Sequence, residues 1–179
     1  MTDVVRIRDE LSAIIELVRT SGGPSDTIAA EAIAAKALLL SAASYFERSI
    51  CDVIIRSAKE SGTRHAYCNF IDKQALERRY HAMFDWDKKN INKFFGLFGP
   101  DTRDRLSEAV LADNMADVVK DFLYIGSQRN LLVHENFAGY SLETTFTEVF
   151  ERYESAFQLV EWLHSKLMLE AARDESAET

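Results

Sequence analysis

From Ser25 to Ser61 the chain contains neither glycine nor proline, and the stretch is rich in Ala, Leu, Glu and Lys. These residues have good helix propensity and nothing there interrupts the hydrogen-bond ladder, so one long helix is predicted over roughly 26–61. Such a helix needs neighbours along its length. Ala29, Ala30, Ala32, Ala34, Ala35, Ala37, Ala42 and Ala43 allow another helix to approach closely, while Leu39, Phe46, Ile50 and Ile54 supply bulk. The whole chain of 179 residues has 2 Pro and 7 Gly, too few for the tight turns of an all-β protein. The expectation is an all-α helical bundle of three to four long helices plus short ones.

The other segments fit that plan. Val4, Ile7, Leu11, Ile14, Ile15 and Val18 recur in steps of three and four, which places one apolar stripe along a first helix that ends at "TSGGPSD". Ser25 or Asp26 can cap the next helix. "SGTRHAYCNF" reads as a connection, and "DKQALERRYHAMF" and "DKKNINKFFGLFG" read as two shorter helices that part near Asp85 and Trp86. After Gly99-Pro100, Asp101 can cap a short helix to about Leu111, and Asp113 or Asn114 a longer one ending near His134. Thr145 and Glu148 have capping-box spacing at the start of a last helix that runs to about Ala172. Its apolar face comprises Phe146, Val149, Phe150, Tyr153, Phe157, Val160, Leu163 and Leu167. No repeat or linker divides the chain, so residues 1–179 read as one domain, with a core over about 26–172 and a short acidic tail over 173–179.

The formal charge of -8 opposes broad adhesion to nucleic acid, because the phosphate backbone rewards clustered Lys and Arg. Any RNA contact must be local. The segment 72–93 is mildly basic, with Lys73, Arg78, Arg79, Lys88, Lys89 and Lys93, but such charges also suit solvated helix faces. Cys51 and Cys68 stand apart without a CxxC or Cys/His cluster, so they read as reduced, partly buried thiols rather than as metal ligands or a disulfide. No cofactor or metal is expected. "MTDVVRIRDELSAII" lacks a signal-peptide core, and "AIAAKALLLSAAS" is broken by Lys36 and short for a bilayer span, so the expected location is the cytoplasm, away from membranes.

One short stretch, "RNLLVH", carries chemistry. On a straight helix Arg129 and His134 lie about 140° apart, whereas Asn130 and His134, four apart, fall close to one line and a long Arg can curl toward them. The C-terminal end of a helix favours a protonated imidazole. Cleaving RNA without metal needs a group to take the proton from a ribose 2′-OH, a group to protonate the leaving 5′ oxygen, and positive charge near the phosphate. One His and one Arg are sparse for that, and two copies facing each other across a twofold axis would double them, so a homodimer is expected. A structural reading stands beside this one: His134 closes a helix and Arg129 pairs with an acid.

The stretch resembles the HEPN superfamily, helical bundles that carry Arg, four to six residues, then His, often with Asn directly after the Arg; Arg129, Asn130 and His134 match. "LLLSAASYFERSICDVI" and "NINKFFGLFG" are similar to the RiboL-PSP-HEPN subgroup, and the likeness covers roughly residues 30–165. It implies metal-independent endoribonuclease action that leaves a 2′,3′-cyclic phosphate, in a toxin or an antiphage or stress effector, with RNA as substrate and an antitoxin or other protein inhibitor as a possible partner. His134 would be general acid or base, Arg129 would bind the scissile phosphate and Asn130 the phosphate or ribose. The resemblance also implies an acidic or polar residue near the cleft from an earlier helix. Glu47 in "SYFERSI" fills that place, to hold Arg129 or the His134 tautomer; an ordinary pair with a neighbour such as Arg48 is its alternative. Two positions depart from the family's pattern. Asn136 stands where some members carry a tyrosine modified by a partner nucleotidyltransferase, and Glu135 replaces a small residue after the His. The family also has noncatalytic members, so a helical module that binds a protein partner or a nucleotide is the competing class.

Other candidates are weaker. His65, His81 and His164 read as surface positions. No Gly-rich phosphate loop is present, and Phe94, Phe95, Leu97 and Phe98 could stack on bases but fit a core better.

Overall fold

Pro24 occupies the first position of its helix, where the missing amide hydrogen costs nothing, and the Gly23 amide donates to Asp26 Oδ2 at 2.9 Å. In this computed structural model that helix, α2, runs unbroken from Pro24 to Glu60. It follows α1 (Asp3–Ser21) and precedes α3 (His65–Ile71), α4 (Tyr80–Met83), α5 (Asn92–Phe95), α6 (Pro100–Ala112), α7 (Ala116–His134) and α8 (Phe146–Ala177). The structure describes residues 2–77, 79–88 and 90–177, with side chains through Arg173. Arg78 and Lys89 of the basic segment, and the last two residues of the acidic tail, lie outside the described residues. Among the described residues there is no strand.

Four helices make the bundle. α2 packs against α8, α1 and α7, and α7 packs against α8. Ala34, Ala35, Ala42 and Ala43 are buried on α2, with Leu38, Leu39, Phe46, Ile50 and Val53 filling between them; Ala29 and Ala32, outside that stripe, are exposed. By length and hydropathy α2 could cross a bilayer, contrary to the sequence reading of a stretch too short; in the fold its apolar stripe faces the other three helices. The Phe46 ring ties three helices together. It meets Phe122 of α7 at 5.6 Å and Tyr153 of α8 at 5.7 Å between centroids, edge-on and tilted, arrangements that suit the ring quadrupoles. The Tyr153 hydroxyl in turn bonds Thr2 Oγ1 at 2.7 Å, fastening α8 to the cap of α1.

Several boundaries depart from the sequence reading, each for a tertiary reason. The segment read as a connection holds α3, whose Cys68 is buried; a π-helical turn over Asp72–Leu76 follows and buries Leu76. Asp113 and Asn114 close α6 instead of opening α7. Asn114 adopts φ 57°, which ends the helix, while Asp113 accepts from Trp162 Nε1 at 2.6 Å and pairs with Lys166 at 2.7 Å, so its carboxylate serves α8. The α8 cap is as the spacing predicts: the Thr145 amide donates to Glu148 Oε2 at 2.8 Å and the Glu148 amide to Thr145 Oγ1 at 3.2 Å. α8 continues to Ala177, past the expected end at Ala172. Phe94 and Phe95 are fully buried, whereas Leu97 is exposed.

Because Phe46 is shared by α2, α7 and α8, truncating it leaves a cavity at the centre of the bundle. Phe46→Ala is expected to lower the unfolding free energy by about 3–5 kcal/mol, read from urea denaturation followed by circular dichroism.

Candidate active site

α7 buries Val118, Val119, Phe122, Leu123, Ile125, Gly126 and Leu132, and Arg129 follows Ile125 by one turn, at the edge where this stripe meets solvent. Arg129 and Asn130 are half-buried, and Arg129 Nη1 donates to Asn130 Oδ1 at 3.3 Å. His134 is the last residue of α7 and is exposed. The Glu135 amide still reaches the Leu131 carbonyl at 2.8 Å, and Asn136 then takes φ 72°, a left-handed conformation that asparagine tolerates and that stops the helix. The returning chain is held down: Lys36 Nζ donates to the Phe137 carbonyl at 2.9 Å and the Tyr140 hydroxyl to Gln128 Oε1 at 2.6 Å. His134 thus sits at a defined helix terminus, where the unpaired carbonyls favour a positive group.

Many arginines in this chain face a carboxylate: Arg6, Arg8, Arg19, Arg56, Arg103, Arg105, Arg152 and Arg173 all form ion pairs. Arg129 does not. Among the described residues no carboxylate pairs with it, although it is half-buried. The narrow crevice that it lines is walled by Ala43 and Phe46 of α2, Tyr80 and His81 of α4, and Phe122 and Gly126 of α7. Glu47, half-buried on α2, comes within 3.5 Å of His81 Nε2. The structure therefore sets Glu47, Arg129 and His134 around His81, a residue read as a surface position, with Asn130 bonded to Arg129. His81 is 36% exposed as a side chain, yet both its ring nitrogens are buried without a hydrogen bond. His65 is exposed, while His164, also read as exposed, is largely covered and bonds Glu60 at 2.7 Å.

What brings His81 here is a glycine. The Trp86 indole lies so close to the α7 backbone that a Cβ on Gly126 would fall 1.9 Å from a ring carbon, and its Nε1 donates to the His81 carbonyl at 2.9 Å. Phe84 packs beside it, tilted 4.9 Å from Trp86 and edge-on 5.1 Å from Phe122 between centroids. The signal was present in the sequence as an isolated glycine inside a helix, which often marks close packing, one turn before the Arg, together with the aromatic run "YHAMFDW".

The charges in this cluster act on one another. Burial lowers the His81 pKa below the usual 6.5, Arg129 lowers it further, Glu47 opposes both, and His134 adds a small lowering. Burial, followed by Glu47, raises the Tyr80 phenol, and burial with Glu47 nearby pushes the Cys51 thiol up to about 11. Cys51 and Cys68 are both free thiols. No group of three His, Cys, Asp or Glu converges as a metal site among the described residues.

Two outcomes follow. Gly126→Ala must displace Trp86, so it should destabilise the protein by about 1–3 kcal/mol and speed amide exchange over residues 80–88, read by hydrogen-exchange mass spectrometry. The His81 imidazole should titrate below pH 6.5 in an NMR titration. Glu47→Gln removes the one neighbour that raises its pKa and should lower the midpoint again; Arg129→Met removes a like charge and should raise it.

Comparison with known families gives one match: the model of the RiboL-PSP-HEPN family fits residues 2–168. No curated protein and no solved structure matches the chain. The matched region contains all four bundle helices down to the last turns of α8, the Arg129 to His134 stretch, and the α4 segment with His81. The chain is a member of the RiboL-PSP-HEPN family, and its all-α bundle is a HEPN-type domain.

Proposed function

We propose that the protein is a metal-independent endoribonuclease that works as a homodimer. The observation that carries this reading is the half-buried Arg129 guanidinium, which has no carboxylate partner among the described residues and stands beside Asn130 and at the His134 end of α7. A desolvated, unneutralised guanidinium is suited to a phosphate, which it can grip through two parallel hydrogen bonds. Arg129 binds the scissile phosphate, Asn130 donates to the phosphate or ribose, and His134 transfers the proton. The ribose 2′ oxygen attacks phosphorus as it loses its proton, the bond to the 5′ oxygen breaks, and that oxygen takes a proton. A 2′,3′-cyclic phosphate and a 5′-hydroxyl result. Glu47 belongs to the supporting layer, since its carboxylate faces His81.

The dimer has support beyond the need for a second imidazole. Leu131, Val133 and Phe137 are exposed around the motif, an apolar surface that a second copy would cover. A ribonuclease of this kind fits a toxin or an antiphage or stress effector in the cytoplasm, restrained by an antitoxin or other protein inhibitor. The second reading, a noncatalytic module that binds a protein or nucleotide, draws on Glu135, an exposed carboxylate next to His134 that repels an approaching phosphate.

Incubation with bulk RNA in EDTA separates the two readings. Wild type should cleave to cyclic-phosphate and 5′-hydroxyl ends, Arg129→Ala and His134→Ala should each lose about 100-fold or more in rate, and all three should sediment as dimers. A wild-type dimer that leaves RNA intact selects the noncatalytic module. Variants that fall apart into monomers make the motif structural.

A further inference from the structure

Arg129 lines the crevice from α7, and Glu47 on α2 lies 3.5 Å from His81, another of its lining residues, yet among the described residues no ion pair joins Glu47 to Arg129. Both charges act on the same two rings, Tyr80 and His81, and in a half-buried setting an unpaired guanidinium and a carboxylate so placed attract each other more strongly as water is excluded. Something must occupy the carboxylate. The residue that does so is His81, whose Nε2 lies 3.5 Å from Glu47 Oε2 and whose ring lines the crevice beside Arg129. The His81 backbone is held in place by Trp86, and Trp86 by the Gly126 backbone of the motif helix. Both ring nitrogens are buried without a formed hydrogen bond, an unsatisfied state that calls for an explanation other than packing.

The geometry points to His81 as a positioning residue that holds Glu47 off Arg129 and so keeps the guanidinium open to an RNA phosphate. Either protonation state can serve: a neutral ring with its hydrogen on Nε2 turns a donor edge to Glu47 at 3.5 Å, short of a formed hydrogen bond, and a charged ring adds attraction. The charged and titratable neighbours around the ring are Glu47 on α2, Arg129 and His134 on α7, and Tyr80 on its own helix. Without the imidazole, the strongest positive group left for Glu47 is Arg129, and the phosphate site closes on itself. This assignment rests on the phosphate-binding reading of Arg129 given above.

The test compares His81→Leu, which keeps ring-sized apolar bulk against Tyr80 and Trp86, with His81→Gln, which keeps a donor, each alone and with Glu47→Gln. The first probe is a 2′-O-methyl oligoribonucleotide, which binds without being cleaved, followed by fluorescence anisotropy. His81→Leu should weaken binding about tenfold, as expected for the loss of one charge-assisted phosphate contact. His81→Gln should stay within about threefold of wild type, and His81→Leu combined with Glu47→Gln should recover wild-type affinity, because the intruding carboxylate is gone. The second probe needs no RNA. Phenylglyoxal labelling, mapped to Arg129 by mass spectrometry, should slow in His81→Leu and recover in the double variant. Recovery marks positioning, since a variant that merely damaged packing would gain nothing from Glu47→Gln. Equal Arg129 labelling in wild type and His81→Leu, or a double variant as weak as His81→Leu, overturns the assignment. Wild type that fails to bind the oligonucleotide while the labelling order holds overturns only the RNA reading.

Discussion

The site depends on the contact between the Trp86 indole and the bare backbone of α7 at Gly126. A helix interior is a costly place for glycine, by roughly 1 kcal/mol against alanine, and here the cost is met by an approach that no side chain would permit. Trp86 carries with it the His81 carbonyl, and through Phe84 and Phe122 the whole aromatic segment is stacked against the core. Between α3 and α5 the described residues form only a π-helical turn over Asp72–Leu76 and the single turn of α4. The position of this segment is set by those rings. A short, irregular connection thereby becomes one wall of a crevice whose other walls are the long helices α2 and α7.

This division of labour explains why parts of the protein could be read in advance and others not. α2, the close of α7 at His134 and the Thr145–Glu148 cap are governed by neighbours within four residues, and propensity, periodicity and capping chemistry suffice for them. Arg129, Asn130 and His134 were legible as a spacing on such a helix, and Glu47 through family resemblance. His81 was not. Its surroundings come from α2 and α7, distant in sequence, and a histidine that follows closely on two arginines looks like a surface residue until Trp86 is placed. The same holds for His164, which is covered because α8 runs beside the end of α2 at Glu60, and for Asp113, whose carboxylate serves Trp162 and Lys166 on α8. In each case a tertiary partner overrode the local preference.

The electrostatics of the crevice are a balance rather than a field. With a formal charge of -8 the protein as a whole repels polyanions, and Glu135 and Glu47 add negative charge near the motif. Any attraction to a phosphate therefore acts at short range, where Arg129 is partly desolvated and the average charge of the molecule is screened beyond about 8–10 Å at ordinary ionic strength. Pairing within the crevice matters more here than total charge. On the role proposed for His81, which approaches Glu47 at 3.5 Å, an occupied carboxylate is one internal competitor fewer for Arg129.

Such a site has a consequence for what it can recognise. A surface rich in Lys and Arg gains affinity by releasing many counterions and binds any nucleic acid; a site that engages one or two phosphates gains little that way, and its affinity depends only weakly on salt. The remaining binding energy must come from contacts with bases or ribose, from the ordering of two such sites in a dimer, or from the fit of an already bent or unpaired strand. Single-stranded loops, whose bases are free to be gripped and whose backbone can turn a phosphate inward toward a half-buried guanidinium, satisfy these conditions better than a regular duplex. On the proposed ribonuclease reading, selectivity for accessible, flexible RNA would follow from the same scarcity of positive charge that, in the composition, argues for local rather than broad contact with nucleic acid.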